Sequence, residues 1–234
     1  MLNRLKYLLS CFLAIFAYFL VQKPVFMLCN ASKSYALTDY LAVMWHGSSL
    51  DATTAGYLTI VPFLLALVSV WYGKLPLRRI LTPYYIVAML LVSMIFVGDF
   101  SLFSFWESKL DASIFIYIDS PKNAMASVST LYVVGRVVLI VVLTALMSLL
   151  LRWLTPKTLG SLDSMRRRVV STVLAVPVGA LLFVVIRGGV RVSTQNVGSA
   201  YFSNDQFLNL SAINPAFNLL ASMGQQSKYE DEFN

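Results

Sequence analysis

The sequence predicts an all-α membrane protein with five transmembrane helices, and three observations predict it. First, 58% of residues are hydrophobic and only 12% charged, for a mean hydropathy of +0.73. Soluble domains carry about 25% charged residues. Second, five apolar stretches approach the roughly 20 residues needed to cross a 30 Å hydrocarbon core. Third, Lys and Arg gather in the gaps on one side of those stretches, as cytoplasmic loops require. The net charge of +7 is explained by those loops, so no nucleic-acid partner is expected.

The first apolar run is 7–21, preceded by Arg4 and Lys6. That order resembles a signal peptide, but no small-residue cleavage site follows. Lys23-Pro24 interrupts and 25–29 resumes the apolar character, so an uncleaved first span is expected. Cys29 follows the bulky Leu28 and does not fit a lipoprotein cysteine. Cys11 lies inside the run, where a thiol acts as a small hydrophobe. Neither cysteine has a partner at metal or redox spacing.

Leu37, Tyr40, Leu41, Met44 and Trp45 form a helical stripe that Gly47 is expected to end. This predicts a short helix, lying on the membrane surface or packed on the spans. Ser48, Ser49 and Asp51 then offer N-cap chemistry for a second span over 52–72. Gly56 and Pro62 inside it are tolerated in membrane helices. After a basic turn (Lys74, Arg78, Arg79), the third span covers 80–97, and Asp99 marks its exit.

A long aromatic and acidic connection follows, with Asp99, Glu107, Asp111 and Asp119. Ser120-Pro121 is an N-cap followed by proline at the first helical position. The fourth span, 131–151, contains Arg136, and the fifth, 169–186, contains Pro177 and Gly179. Between them lie Arg152, Lys157 and the run Arg166-Arg167-Arg168.

With the N-terminus in the cytoplasm, ten basic residues and one acid, Asp163, fall inside. The positive-inside rule then places the C-terminus outside. The external segment 187–234 turns polar. Ser203-Asn204-Asp205-Gln206 fits a capping box, Asn214-Pro215 is again N-cap then proline, and Gly224 is expected to close the helix. Two short amphipathic helices should result. Asn30 and Asn209 head Asn-x-Ser sequons.

Chemistry could reside only in ionisable and aromatic residues near the outer boundary. Arg136 lies about 8 Å inside its span, at 1.5 Å per residue. Charges at such depth are functional hypotheses by default, and a guanidinium fork suits a lipid phosphate. With Arg187, Arg191, Asp51 and Trp106 it forms a candidate lipid-headgroup site. The alternative for Arg136 is snorkelling or pairing with Asp51 or Asp99. For Trp106, Glu107, Lys109 and Asp111 the alternative is an aromatic belt with solvated charges, and His46 reads as a surface histidine. No nucleophile–base pair, phosphate loop or metal cluster is apparent.

Several external segments resemble the membrane domain of the lipoteichoic acid synthase family, the sulfatase-like phosphoglycerol transferases of the alkaline phosphatase superfamily. The likeness rests on Asp99, Phe105-Trp106, Leu110-Asp111 and Ser120-Pro121 in the long connection. Gly47 and Asp51 match a Gly-x-x-x-Asp pattern before the second span. Tyr201-Phe202-Ser203, Asn209 and Asn214-Pro215 match the exit segment. The likeness covers nearly the whole chain, although Glu107-Ser108-Lys109 stands where relatives often have Gly-x-Arg.

The resemblance implies the N-terminal membrane domain of a longer enzyme in a bacterial cytoplasmic membrane. Such enzymes transfer phosphoglycerol, or a related headgroup, from a phospholipid to an envelope glycan or lipid. The catalytic domain is absent from these residues, so the chain alone should be inactive. The nucleophile and a manganese-like divalent metal are expected in that domain, and no cofactor in this one. Implied partners are membrane lipids, anionic phospholipid among them, and the chain's own extracellular sulfatase-like domain. The other reading is a self-contained membrane scaffold or small transporter. Transporters tend to show internal repeats and broken helices around a midplane site, and no repeat is visible here.

Overall fold

The computed structural model describes residues 1–115, 129–160, 162, 164–190 and 192–233, with backbone alone over 226–233. Asp119, Ser120-Pro121, Asp163 and Arg191 lie outside the described residues. The described elements are helical, and five of them are long and apolar enough to cross a membrane. These are α1 (Leu2–Asn30), α2 (Leu37–Trp71), α3 (Leu77–Trp106), α4 (Thr130–Leu154) and α5 (Met165–Arg187). A 3-10 turn (Val197–Ala200), α6 (Gln206–Ala212) and α7 (Pro215–Phe233) follow.

The helices outrun the apolar stretches that announce them. α1 continues through Lys23-Pro24. A proline inside a soluble helix costs about 3 kcal/mol, but membrane helices accommodate it. α2 corrects a second expectation: the short helix expected over 35–46 is not separate, and the 35 residues from Leu37 to Trp71 are continuous. Gly47 does not end it. A Cβ there would overlap the Ala212 carbonyl oxygen and Lys23 Cε, so this glycine marks a close approach of chains. At 1.5 Å per residue α2 is about 52 Å long, and tilt or overhang takes up the excess over the hydrocarbon core. α3 likewise runs past Asp99 to Trp106, and α7 past Gly224.

The chain divides into two compact units. The first comprises 1–19, 51–89 and 145–195. Its core includes Cys11, Ile15 and Phe19 of α1, Ala66 and Val70 of α2, Leu81, Tyr85 and Met89 of α3, and Leu151 of α4. Hydroxyls are joined within it: Tyr7 to Tyr85 at 2.8 Å, and Tyr85 to Thr155 at 3.2 Å. α5 packs lightly, burying Ser171 and Ala175, with Gly56 against Ile186 and Gly179 against Phe63. Small residues allow such close helix contact in membranes. α5 ends where Gly188 and Gly189 take φ of 86° and 111°, a region open to glycine. Gln195 N–H then donates to the Arg187 carbonyl at 3.0 Å.

The second unit comprises 20–50, 90–144 and 196–234. Met27, Val43 and Leu50 form one core with Ala200, Leu208, Ala212 and Ile213. Phe26, Phe96, Val97, Phe100 and Phe103 form another, against which Phe207 and Leu210 pack. The exit segment is thus part of a hydrophobic core.

Candidate functional site

The second unit concentrates the charged and aromatic side chains that could do chemistry or hold a ligand. α3 ends at Trp106, and Glu107 takes φ 51°, uncommon for a residue with a Cβ. That turn sends the chain back along α3. Lys109 Nζ donates to Asp99 Oδ2, and Leu110 N–H donates to Asp99 Oδ1 at 2.9 Å. The ammonium also lies 3.9 Å from the centre of the Phe26 ring. Burial pushes the Lys109 pKa down, opposed by the Asp99 charge. This corrects the expectation of solvated charges here: Lys109 is buried, whereas Glu107 is exposed.

Around Phe26 stand Phe103, edge-on at 4.9 Å, and Phe207 at 6.0 Å, with Tyr35 stacked on Phe207 at 5.4 Å. Edge-on and offset geometries are the favourable ones for rings. Tyr35 O–H donates to Asp205 Oδ2 at 3.1 Å, which Lys33 reaches at 2.8 Å. Asp205 Oδ1 accepts from Phe207 N–H and starts α6. The Lys33 ammonium holds the Asp205 carboxyl below the usual carboxylate range. Asn209, buried, accepts from Phe202 and Ser203 N–H through one oxygen and donates to the Ser203 carbonyl. As a glycan acceptor it is therefore unsuitable in the folded chain. His46, exposed as expected, stacks on Phe202 at 4.4 Å.

Arg136 is half-buried on α4. Its guanidinium carbon lies 4.6 Å from the Phe100 ring and 4.5 Å from the Tyr132 ring, and Nη2 donates to the Tyr132 hydroxyl at 3.2 Å. Two ring faces hold the planar group by cation–π attraction. Of its five N–H donors, the Tyr132 hydroxyl satisfies one among the described residues, which suits the rest to an anionic ligand. Asp99 is not its partner, being held by Lys109.

The other predicted site residues fall in different places. Trp106 closes α3 in the second unit, while Asp51 and Arg187 belong to the first. Asp51 is fully buried, and Arg187 donates to the Val192 carbonyl at 3.2 Å. Arg191 lies outside the described residues. Among the described residues no three His, Cys, Asp or Glu side chains are grouped to hold a metal ion. Sequence reading missed the Lys109–Asp99 pair and the Lys33–Asp205–Tyr35 set. Their only signal was opposite charge, across ten residues for Lys109 and Asp99 and across most of the chain for Lys33 and Asp205.

The fold defines a multi-pass integral membrane protein, with five spans that place it among lipids. No family model matches the chain, and no curated protein or solved structure is significantly similar to it.

Proposed function

We propose that the chain is the membrane anchor and lipid-presenting module of a sulfatase-like enzyme that transfers phosphoglycerol or a related headgroup. In this reading Arg136 holds the phosphate of an anionic phospholipid on the outer side of a bacterial cytoplasmic membrane. The exit segment couples the module to a catalytic domain encoded further along the chain. The observation that carries the reading is how 197–219 packs. Leu208, Ala212 and Ile213 share a core with Met27, Val43 and Leu50, so the segment is anchored in the module and, in this reading, mounts the domain that follows it.

Residues behind the family resemblance support the same layer. Asp99 binds Leu110 N–H, the Leu110 carbonyl accepts from Asn218 at 2.9 Å, and Asn214 caps Phe217 N–H at 3.0 Å. They fix backbone, so they speak for the module and leave the chemistry to the domain it mounts. Two measurements test the proposal. The reading frame after Asn234 should continue into a domain with metal ligands and a nucleophilic threonine; a stop codon there would sink the enzyme reading. Arg136→Leu should lower the anionic phospholipid that co-purifies with the chain, and unchanged lipid content would remove Arg136 from it.

A further inference from the structure

A groove of about 630 Å³ in the first unit has no part in the function proposed above. One wall is the start of α1, where Asn3, Lys6, Tyr7 and Ser10 line it. Their spacing of i, i+3, i+4 and i+7 puts them on one helix face. The middle of α1, from Cys11 to Val21, carries no charged residue, so this polar face is confined to its start. The facing wall is the turn after α4, with Pro156, Thr158 and Gly160.

Partly buried bonds hold that turn. Arg4 Nη2 donates to the Gly160 carbonyl at 3.0 Å and to the Ser69 carbonyl at 2.9 Å, and Arg4 Nε donates to the Ser69 hydroxyl at 3.1 Å. Arg78 Nε donates to the Thr155 carbonyl at 2.8 Å. Two guanidinium groups from separate helices therefore hold one short turn, and the groove between it and α1 is pre-formed. Among the described residues, none that lines the groove is acidic. Lys6 supplies a cation, Lys157 stands exposed between Pro156 and Thr158, and Asn3, Ser10 and Thr158 supply neutral donors.

We infer that this groove binds a phosphate ester. Phosphate oxygens accept from the ammonium, amide and hydroxyl groups, and the flanking apolar lining receives the carbon part. The ester could arrive as a lipid headgroup or as a soluble compound, and the test distinguishes them. The full chain is placed in neutral phosphatidylcholine nanodiscs, with either phosphatidic acid in the disc or glycerol phosphate in solution. The readout is the unfolding midpoint against probe concentration.

One probe should raise the midpoint saturably, and which one does so names the source. Lys6→Gln and Lys157→Gln should each raise the half-saturating concentration about fivefold, the effect of one basic residue near an anionic surface. Ser10→Leu, which fills the groove without removing charge, should also weaken saturation. Lys74→Gln, the same charge change on an exposed turn outside the groove, should leave it unchanged. The inference fails if neither probe saturates, or if Lys74→Gln weakens binding as much as Lys6→Gln.

Discussion

Lys109 and Asp99 form an ion pair whose side chains are 4% and 1% exposed. The pair converts a ten-residue sequence separation into one closed turn, with Phe26 covering the ammonium. Burying both charges is costly, so such pairs add little net stability, but removing one partner is severe. Lys109→Met, which strands the Asp99 carboxylate, should destabilise the second unit by about 3–5 kcal/mol. Asp99→Leu combined with Lys109→Met should recover part of that loss, because no buried charge remains although Leu110 N–H loses its acceptor. Thermal unfolding in detergent measures both. A Lys109→Met protein as stable as the parent would show that the pair does not hold the turn.

Gly47 should be irreplaceable for a reason unrelated to helix propensity. Alanine is the better helix former by about 1 kcal/mol, so an exposed glycine would be improved by the change. Here a Cβ overlaps the Ala212 backbone and Lys23 Cε. Overpacking typically costs about 1–3 kcal/mol, and a carbonyl oxygen gives way less readily than a side chain. Gly47→Ala should therefore expose 206–213 to faster amide exchange or proteolysis. Exchange equal to the parent's would mean that the two segments can move apart freely.

The same two residues show what sequence could and could not reveal. Five spans were legible because apolar runs are local, and so was the Asn214-Pro215 helix start, whose cap bond spans three residues. Span ends were not legible. Asp99 looks like an exit until Lys109 turns back to satisfy it, and Gly47 looks like a stop until Ala212 arrives against it. Both depend on contacts that periodicity does not contain. Arg136 was legible as an unusual charge at depth, but its aromatic clasp needs Phe100 from another helix. The predicted set of Arg136, Arg187, Arg191, Asp51 and Trp106 drew on outer-boundary position alone, which says nothing about which side chains meet.

Asp205 and Lys33 give the exit segment a pH dependence with a defined sign. Lys33 lowers the carboxyl pKa of Asp205 and has its own raised in return. A depressed carboxyl contributes stability above its unfolded value, near 4, and loses it as pH falls through the folded value. The raised lysine contributes fully below its unfolded value, near 10.4, and loses that as pH rises through the folded one. The link is therefore complete between about pH 4 and 10. Protection of the α6 start should fall below pH 4 and also in 1 M salt, since Lys33 is solvent-exposed and screening is strong there. Lys33→Met should flatten both responses. A salt response that survives in Lys33→Met would assign it to other charges.

Asn209 should require its amide, and both halves of it. One oxygen receives the Phe202 and Ser203 N–H groups, each at 2.9 Å, and the nitrogen donates to the Ser203 carbonyl at 2.7 Å. Asn209→Asp keeps the acceptor but turns a carboxylate oxygen toward that carbonyl, two acceptors with no proton between them. Asn209→Ala strands two backbone donors and one acceptor. Leaving a buried polar group unsatisfied costs about 1–3 kcal/mol, so alanine should be the more damaging change. Aspartate should recover as pH drops through its pKa, because a protonated carboxyl can donate where the amide did. Unfolding midpoints measured at pH 7 and near pH 4 separate the two. Equal losses for Asp and Ala at both values would mean that the 201–209 turn is held by packing of Phe202 and Phe207 instead.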